Sequence, residues 1–280
     1  MNRNLIYDVG MHLGENTEYY LSKGFEVLAV EANPTLVEQA TQRFKREIAN
    51  NKLTIVNVGI SEGEGAQPFW ISDSSIWSSF DRENATRLGT PARSVTVECV
   101  RFATLLENFG VPFFLKIDIE GSDHLCLKDL RSDDLPQYLS IEATEVTLVE
   151  TLRQLGYTKF KCISQYSLTP IEIPPSREEQ RLKRIEWMLY TKNPVVRLLR
   201  ALGAKSYLNR QLSGPFAING STFPIGSSGP FGADLPGRWL GYEEICGVLR
   251  TMKAQEAAGE RSLFWTSTPG SFWADIHASR

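Results

Sequence analysis

Short apolar runs alternate with segments of helical period along the first 164 residues. That order predicts βαβ units around a mostly parallel sheet. Strands are expected at Leu5 to Val9, Phe25 to Glu31, Leu53 to Val58, Phe113 to Ile119, Tyr138 to Glu142 and Thr158 to Ile163. Between them, Asn33-Pro34 supplies an N-cap and a first-turn proline for a helix in which Val37, Ala40, Phe44 and Ile48 share one face. Gly24 and Gly156 stand where C-terminal caps belong. The stretch Glu62 to Ser94 interrupts the alternation; it is expected to hold a strand at Pro68 to Ile71, followed by extended chain over Val95 to Phe102.

The pattern changes after Gln165. Residues 177 to 210 carry nine Lys or Arg against three acids. Leu182, Ile185 and Leu189 follow helical spacing, as do Val195, Leu198, Leu199 and Leu202, which predicts two basic amphipathic helices. Residues 214 to 241 hold seven glycines and four prolines, including the doubled Ser213-Gly214-Pro215-Phe216 and Ser228-Gly229-Pro230-Phe231, and read as irregular chain. A closing strand is expected over Ser271 to Ala278. The division that follows is a core of residues 1–164, an insertion of 165–261 and a returning strand within 262–280.

Composition narrows the function classes. The 280 residues sum to a net charge of −3, so the chain as a whole lacks a nucleic-acid footprint. Cys99, Cys126, Cys162 and Cys246 lie far apart without a CxxC pair, which reads as reduced core cysteines in a cytoplasmic chain. Met1 to Asn4 lead straight into the first apolar run, with no room for a signal peptide. No apolar stretch approaches the roughly 18 residues of a membrane span.

Candidate chemistry begins at Asp8-Val9-Gly10-Met11-His12-Leu13-Gly14, between the first strand and its helix. Glycine at such a turn permits close backbone approach, and the amides of the helix start can donate to a ligand. Glu31 ends the next strand, 21 positions beyond Gly10, where a carboxylate can accept from both hydroxyls of a ribose. The two glycines are four apart and the third glycine of a dinucleotide turn is missing. With Asp8 two residues before Gly10, the turn favours a sulfonium nucleoside, whose ammonium suits a carboxylate that a pyrophosphate would not. In Phe113 to Gly121, strand alternation puts Lys116, Asp118 and Glu120 on one face. Charges there must be paired or open into a cleft at the C-terminal end of the strand, where α/β sheets bind ligands. A purely structural ion pair of Lys116 with Asp118 or Glu142 is the competing reading.

These residues, with Glu31-Ala32-Asn33-Pro34, Asn57-Val58-Gly59-Ile60-Ser61, Ser78-Ser79 and above all Leu115-Lys116-Ile117-Asp118-Ile119-Glu120-Gly121, resemble the FkbM family of S-adenosylmethionine-dependent methyltransferases over about residues 5 to 160. The resemblance implies a seven-stranded, Rossmann-like doubly wound α/β sheet with a reversed last strand, and methyl transfer to hydroxyls of sugars, lipids or polyketide-type products. It also implies that Asp8 and Gly10 hold the methionine end of S-adenosylmethionine, Glu31 the ribose, and Asn57 with Ser61 the adenine side, with Gly14 in the same turn. His12 stands where relatives often have asparagine, against the cofactor carboxylate.

The reaction expected is O-methylation, with Asp118 as first choice of base, Glu120 as second and Lys116 as their partner. A divalent cation on the two carboxylates is an option the sequence does not require. His124 is expected at the surface or as a capping residue, and His277 either as a satisfied structural histidine or, if the last strand lies in the sheet, within reach of the cleft. Phe216, Phe223, Phe231, Trp239 and Tyr242 form either a substrate lid or a small packing core, and the basic helices either contact a phosphorylated acceptor or an anionic lipid surface or are simply solvated. The competing functions are a nicotinamide-dependent oxidoreductase and a non-catalytic binding module. Acceptor, methylated position and oligomeric state are not encoded in any motif.

Overall fold

The structure is a computed structural model and describes residues 1–142, 145–212, 216–218, 220–255 and 273–280. The chain divides into two units, Met1–Ile141 and Glu142–Arg280.

In the first unit the order is β1 (Asn2–Val9), α1 (Glu15–Ser22), β2 (Glu26–Val30), α2 (Pro34–Arg43), α3 (Lys45–Ala49), β3 (Leu53–Val56), β4 (Gly59–Ile60), β5 (Gly65–Ser72), α4 (Arg82–Ala85), β6 (Ala92–Val100), α5 (Phe102–Phe109), β7 (Pro112–Ile117), α6 (Asp123–Lys128) and β8 (Tyr138–Glu142). The second continues with α7 (Val146–Leu155), β9 (Lys159–Ser164), α8 (Arg177–Tyr190), α9 (Pro194–Leu199), α10 (Lys205–Leu212), β10 (Phe216–Ile218), β11 (Ser221–Phe223), α11 (Tyr242–Gln255) and β12 (Ala274–Ser279).

The large sheet has seven strands in the order β3-β2-β1-β7-β8-β12-β9. β1 pairs in parallel with β2 and β7, and β12 runs antiparallel to β9, which gives the reversed last strand. The central strands are apolar on both faces, as helices above and below a parallel sheet require. Ile6, Tyr7, Val9, Leu28, Ala29, Leu115 and Ile117 are buried accordingly.

Local chemistry sets several boundaries. Asn33 caps α2 by accepting from Thr35 N at 3.0 Å, with Pro34 following. The single helix expected through Ile48 breaks at Phe44, whose backbone leaves the helical region (φ −105°) while its ring stays in the core with Leu36 and Ala40. Packing of that ring outweighs continuation of the helix. Gly24 and Gly156 end α1 and α7 with left-handed φ values, as expected. The interruption after residue 62 is a second sheet of order β4-β6-β5, with β5 antiparallel to β6 over its full length. Extended chain stops at Val100 rather than Phe102, because Phe102 opens α5 with its ring fully buried.

In the second unit β10 and β11 form a short hairpin inside the glycine-rich stretch. Phe223 and Phe231 are buried, Trp239 lies beneath the Lys161 ammonium and Tyr242 beneath the Arg153 guanidinium, so these rings pack within the unit. Of the repeated Ser-Gly-Pro-Phe, residues 213–215 lie outside the described residues, as do 256–272, including the expected start of the last strand. All four cysteines are free and buried. Among the described residues no helix is long and apolar enough to cross a membrane.

Candidate active site

Strand β7 ends at Ile117, so Lys116 is its last charged residue, while Asp118 and Glu120 belong to the loop that follows. Lys116 is 2% exposed. Its Nζ donates to Gly10 O at 2.6 Å and lies 3.3 Å from Asp8 Oδ1 and 3.5 Å from Asp118 Oδ2. One ammonium therefore fastens the turn after β1 to the loop after β7. Asp8, fully buried, also accepts from Thr17 Oγ1 at 2.7 Å, and burial pushes its carboxyl up against the pull of Lys116. The expected place of Asp8 at the methionine end therefore coincides with an internal duty, holding Lys116 and α1 in register.

The turn itself runs Gly10, His12 and Gly14 at φ values of 82°, 54° and 82°. A Cβ on Gly10 would stand 1.8 Å from the backbone oxygen of Asp118, and one on Gly14 2.5 Å from the Phe44 ring. The space over both glycines is filled by the protein's own groups, so their necessity comes from the crossing of the two loops. His12 takes a left-handed conformation that asparagine and histidine tolerate better than most side chains. Its Nε2 lies 2.8 Å from Ser75 Oγ and its Nδ1 3.6 Å from Glu15; burial works against the charged ring, yet the Glu15 contact leaves its pKa raised.

Glu31 follows β2 directly. Oε2 accepts from His12 N at 2.9 Å and Oε1 from Asn33 N at 2.8 Å. The carboxylate is thereby fixed in orientation, and each oxygen retains a further acceptor position. Burial raises its pKa in spite of the two amides.

Glu120 departs from the expected alternation. Its φ of 49° is left-handed rather than extended, and its Oε1 meets Arg87 Nη2 at 3.3 Å. Burial, opposed by Arg87 and reinforced by Asp118 and Asp123, raises its carboxyl to about 7. Ser79 Oγ donates to Glu120 O at 2.9 Å, and Asp123 accepts from Ile119 N and Gly121 N, so the loop is held on both sides. Arg87 itself lies over the Trp77 ring at 4.7 Å. Nothing in the sequence singled out Arg87, Thr17 or Asp123; only the charge at Arg87 would have flagged a partner for Glu120.

Asn57 and Ser61 are committed internally. Asn57 Nδ2 donates to Glu31 O and Ala32 O at 2.8 and 3.1 Å, tying the ends of β2 and β3. Ser61 Oγ donates to Gly63 O and accepts from Gln67 at 2.9 Å. Ser61 lines a small cleft with Glu62, Arg101, Leu125, Lys128 and Asp129, which none of Asp8, Gly10, Glu31 or Asp118 lines. His124 is exposed on α6, and His277 is buried in β12. Among the described residues no group of three or more His, Cys, Asp or Glu side chains is arranged to hold a metal ion.

Comparison with known proteins gives a family match to the methyltransferase FkbM domain over residues 8–158. No curated protein sequence matches significantly. Among solved structures, methyltransferase FkbM from Methylobacillus flagellatus is 19% identical with a TM-score of 0.35, covering 50% of this chain and 33% of that one. The chain thus spans about a third of the length of that relative. Precorrin-6y C5,15-methyltransferase from Geobacter metallireducens is 14% identical with a TM-score of 0.36, covering 59% and 69%. Phosphoethanolamine N-methyltransferase 2 from Haemonchus contortus, in complex with S-adenosyl-L-methionine, is 10% identical with a TM-score of 0.37, covering 100% and 49%. At these scores none of the three bears on function. The family match covers more than half of the sequence, and the chain belongs to the FkbM family of S-adenosylmethionine-dependent methyltransferases.

Proposed function

We propose that this chain transfers the methyl group of S-adenosylmethionine to a hydroxyl of a sugar, a glycolipid or a secondary metabolite, in the cytoplasm. The observation that carries the reading is the Lys116 ammonium, which joins Gly10 O, Asp8 and Asp118 and so makes one edge of two loops. Asp8, Asp118 and Glu31 against one ammonium leave that edge formally negative. Such a field suits a sulfonium donor and disfavours the pyrophosphate of a nicotinamide cofactor.

The residues present fit the donor. Glu31 is oriented by two amides and keeps lone pairs for ribose hydroxyls. Asp8, fully buried against Lys116 and Thr17, would act on the ammonium of the methionine end through its charge rather than by contact. When bound, S-adenosylmethionine supplies a methyl group already activated on sulfur. The chain's own work is then alignment, worth about 7 to 11 kcal/mol in well-oriented systems, and removal of the hydroxyl proton. Glu120, at about 7, is in the range where a carboxylate exchanges protons at neutral pH. Asp118, beside Lys116, is the second candidate.

Calorimetry should show micromolar binding of S-adenosylmethionine; no binding sinks the reading. Glu120→Gln and Asp118→Asn should both keep that binding. Turnover should fall by roughly 10² to 10⁴ in the variant that removes the base. If Glu120 is that base, log kcat/KM rises through pH of about 7 in the unaltered protein and loses this limb in Glu120→Gln. A loss confined to Asp118→Asn assigns the base to Asp118, and activity within about twofold in both variants rejects the acid–base assignment.

A further inference from the structure

The segment α8 to α10 presents an apolar stripe to water within a cationic field. Val195, Leu198, Leu199 and Leu202 recur at helical spacing and are 66, 61, 47 and 75% exposed. Scattered exposed aliphatics are ordinary, but four in a row on one helical face mark a contact surface. Tyr207 and Trp187 in the same segment are exposed as well. From residue 187 to residue 233 there is no Asp or Glu, while Lys192, Arg197, Arg200, Lys205 and Arg210 fall within that stretch.

The stripe is held in place by other groups. Leu182 and Leu189 of α8 and Leu208 of α10 are buried, so the segment already has its own inward face. Asn193 caps α9, accepting from Val195 N at 3.0 Å and Val196 N at 3.3 Å. The Arg200 guanidinium donates to Leu189 O and, at 2.7 Å, to Thr191 O, closing the C-terminal end of α8. With that anchoring, Lys192, Arg197, Lys205 and Arg210 remain exposed around the stripe.

We propose that α9 with its flanking cations is a binding surface for an anionic lipid bilayer. The aliphatic stripe enters the headgroup boundary while the cations face lipid phosphates. The occupant follows from complementarity. Nucleic acid would satisfy the cations but leave four aliphatic side chains in water. A second copy of this chain would bring the same positive field against itself. An anionic bilayer takes both features at once, and Trp and Tyr are the aromatic residues that settle at its interface.

The test uses the full chain in vesicle sedimentation, with phosphatidylcholine alone and with equimolar phosphatidylcholine and phosphatidylglycerol. Partition onto the anionic vesicles should exceed that onto neutral ones by at least about tenfold and weaken with salt. Leu198→Ser combined with Leu202→Ser should lower it by about tenfold or more. The circular dichroism and thermal midpoint of that variant should not change, since both side chains stand in water in the free protein. Equal partition onto the two vesicle types, or undiminished partition of the serine variant, overturns the proposal. So does a dimer that the serine variant dissolves without any vesicle binding by the unaltered chain. None of these readouts involves methyl transfer, so they stand apart from the proposed activity.

Discussion

Lys116 is the residue on which the candidate site turns, because a buried ammonium is tolerated only where neighbours replace its water. Asp8, Asp118 and the Gly10 carbonyl do so. The arrangement is asymmetric: both members of the Lys116–Asp8 pair are almost wholly buried, whereas Asp118 is partly open to solvent. Removing the cation therefore strands Asp8 first. Lys116→Met should destabilise the protein by about 3 to 5 kcal/mol, the usual cost of leaving one charge of a buried pair uncompensated. Adding Asp8→Asn to that variant should recover much of the loss, since the stranded charge is gone. Denaturant unfolding of the two single variants and the double variant closes the cycle. Additive effects would mean that Asp8 and Lys116 do not act as a pair.

At the scale of elements, the crossing of the β1–α1 turn with the loop after β7 is fixed by backbone atoms. A methyl group on Gly10 would meet the Asp118 carbonyl at 1.8 Å, and a carbonyl in the middle of that loop cannot swing aside as a side chain can. Gly10→Ala should thus abolish S-adenosylmethionine binding in calorimetry. Gly14→Ala meets only the edge of the Phe44 ring, so its defect should be smaller and partly relieved by Phe44→Leu. The strands around this crossing were legible in the sequence because buried parallel strands are continuous apolar runs, and Tyr138 to Glu142 matches β8 end to end. Less legible was where β7 stops: alternation carries Lys116, Asp118 and Glu120 onto one face, whereas the left-handed turn at Glu120 sends that carboxylate to Arg87. Periodicity reports burial, not a single reversed φ. The second sheet was legible in part: the strand expected at Pro68 to Ile71 lies within β5 and the extended chain expected from Val95 overlaps β6, whereas the exposed start of β6 and its pairing with β4 and β5 left no periodic signal.

For the whole molecule, the buried titratable groups make stability depend on pH in two opposite senses. Burial raises the carboxyls of Glu120 to about 7 and Glu179 to about 8, from 4.5. The folded protein then holds more protons than the unfolded chain above pH 4.5, and stability falls as pH rises toward 7 and 8. His277 acts the other way. It is buried in β12 opposite Lys161 of β9, and desolvation, aided by that lysine, lowers its pKa from 6.5 to about 3. Between those two values the unfolded chain binds the extra proton, so stability is lost as pH falls from 6.5 toward 3. The size of that loss is on the order of 4 kcal/mol, large against the 5 to 15 kcal/mol that typically separates folded from unfolded chains. Replacing His277 by Leu removes the group that must remain uncharged and the ring nitrogen Nε2, which has no hydrogen-bond partner among the described residues. In denaturant unfolding, stability at pH 4 relative to pH 7 should be higher in His277→Leu than in the unaltered protein, because the Glu120 and Glu179 contributions remain while the opposing imidazole is gone. An unchanged difference between the two pH values in His277→Leu would remove the buried imidazole as a source of acid sensitivity.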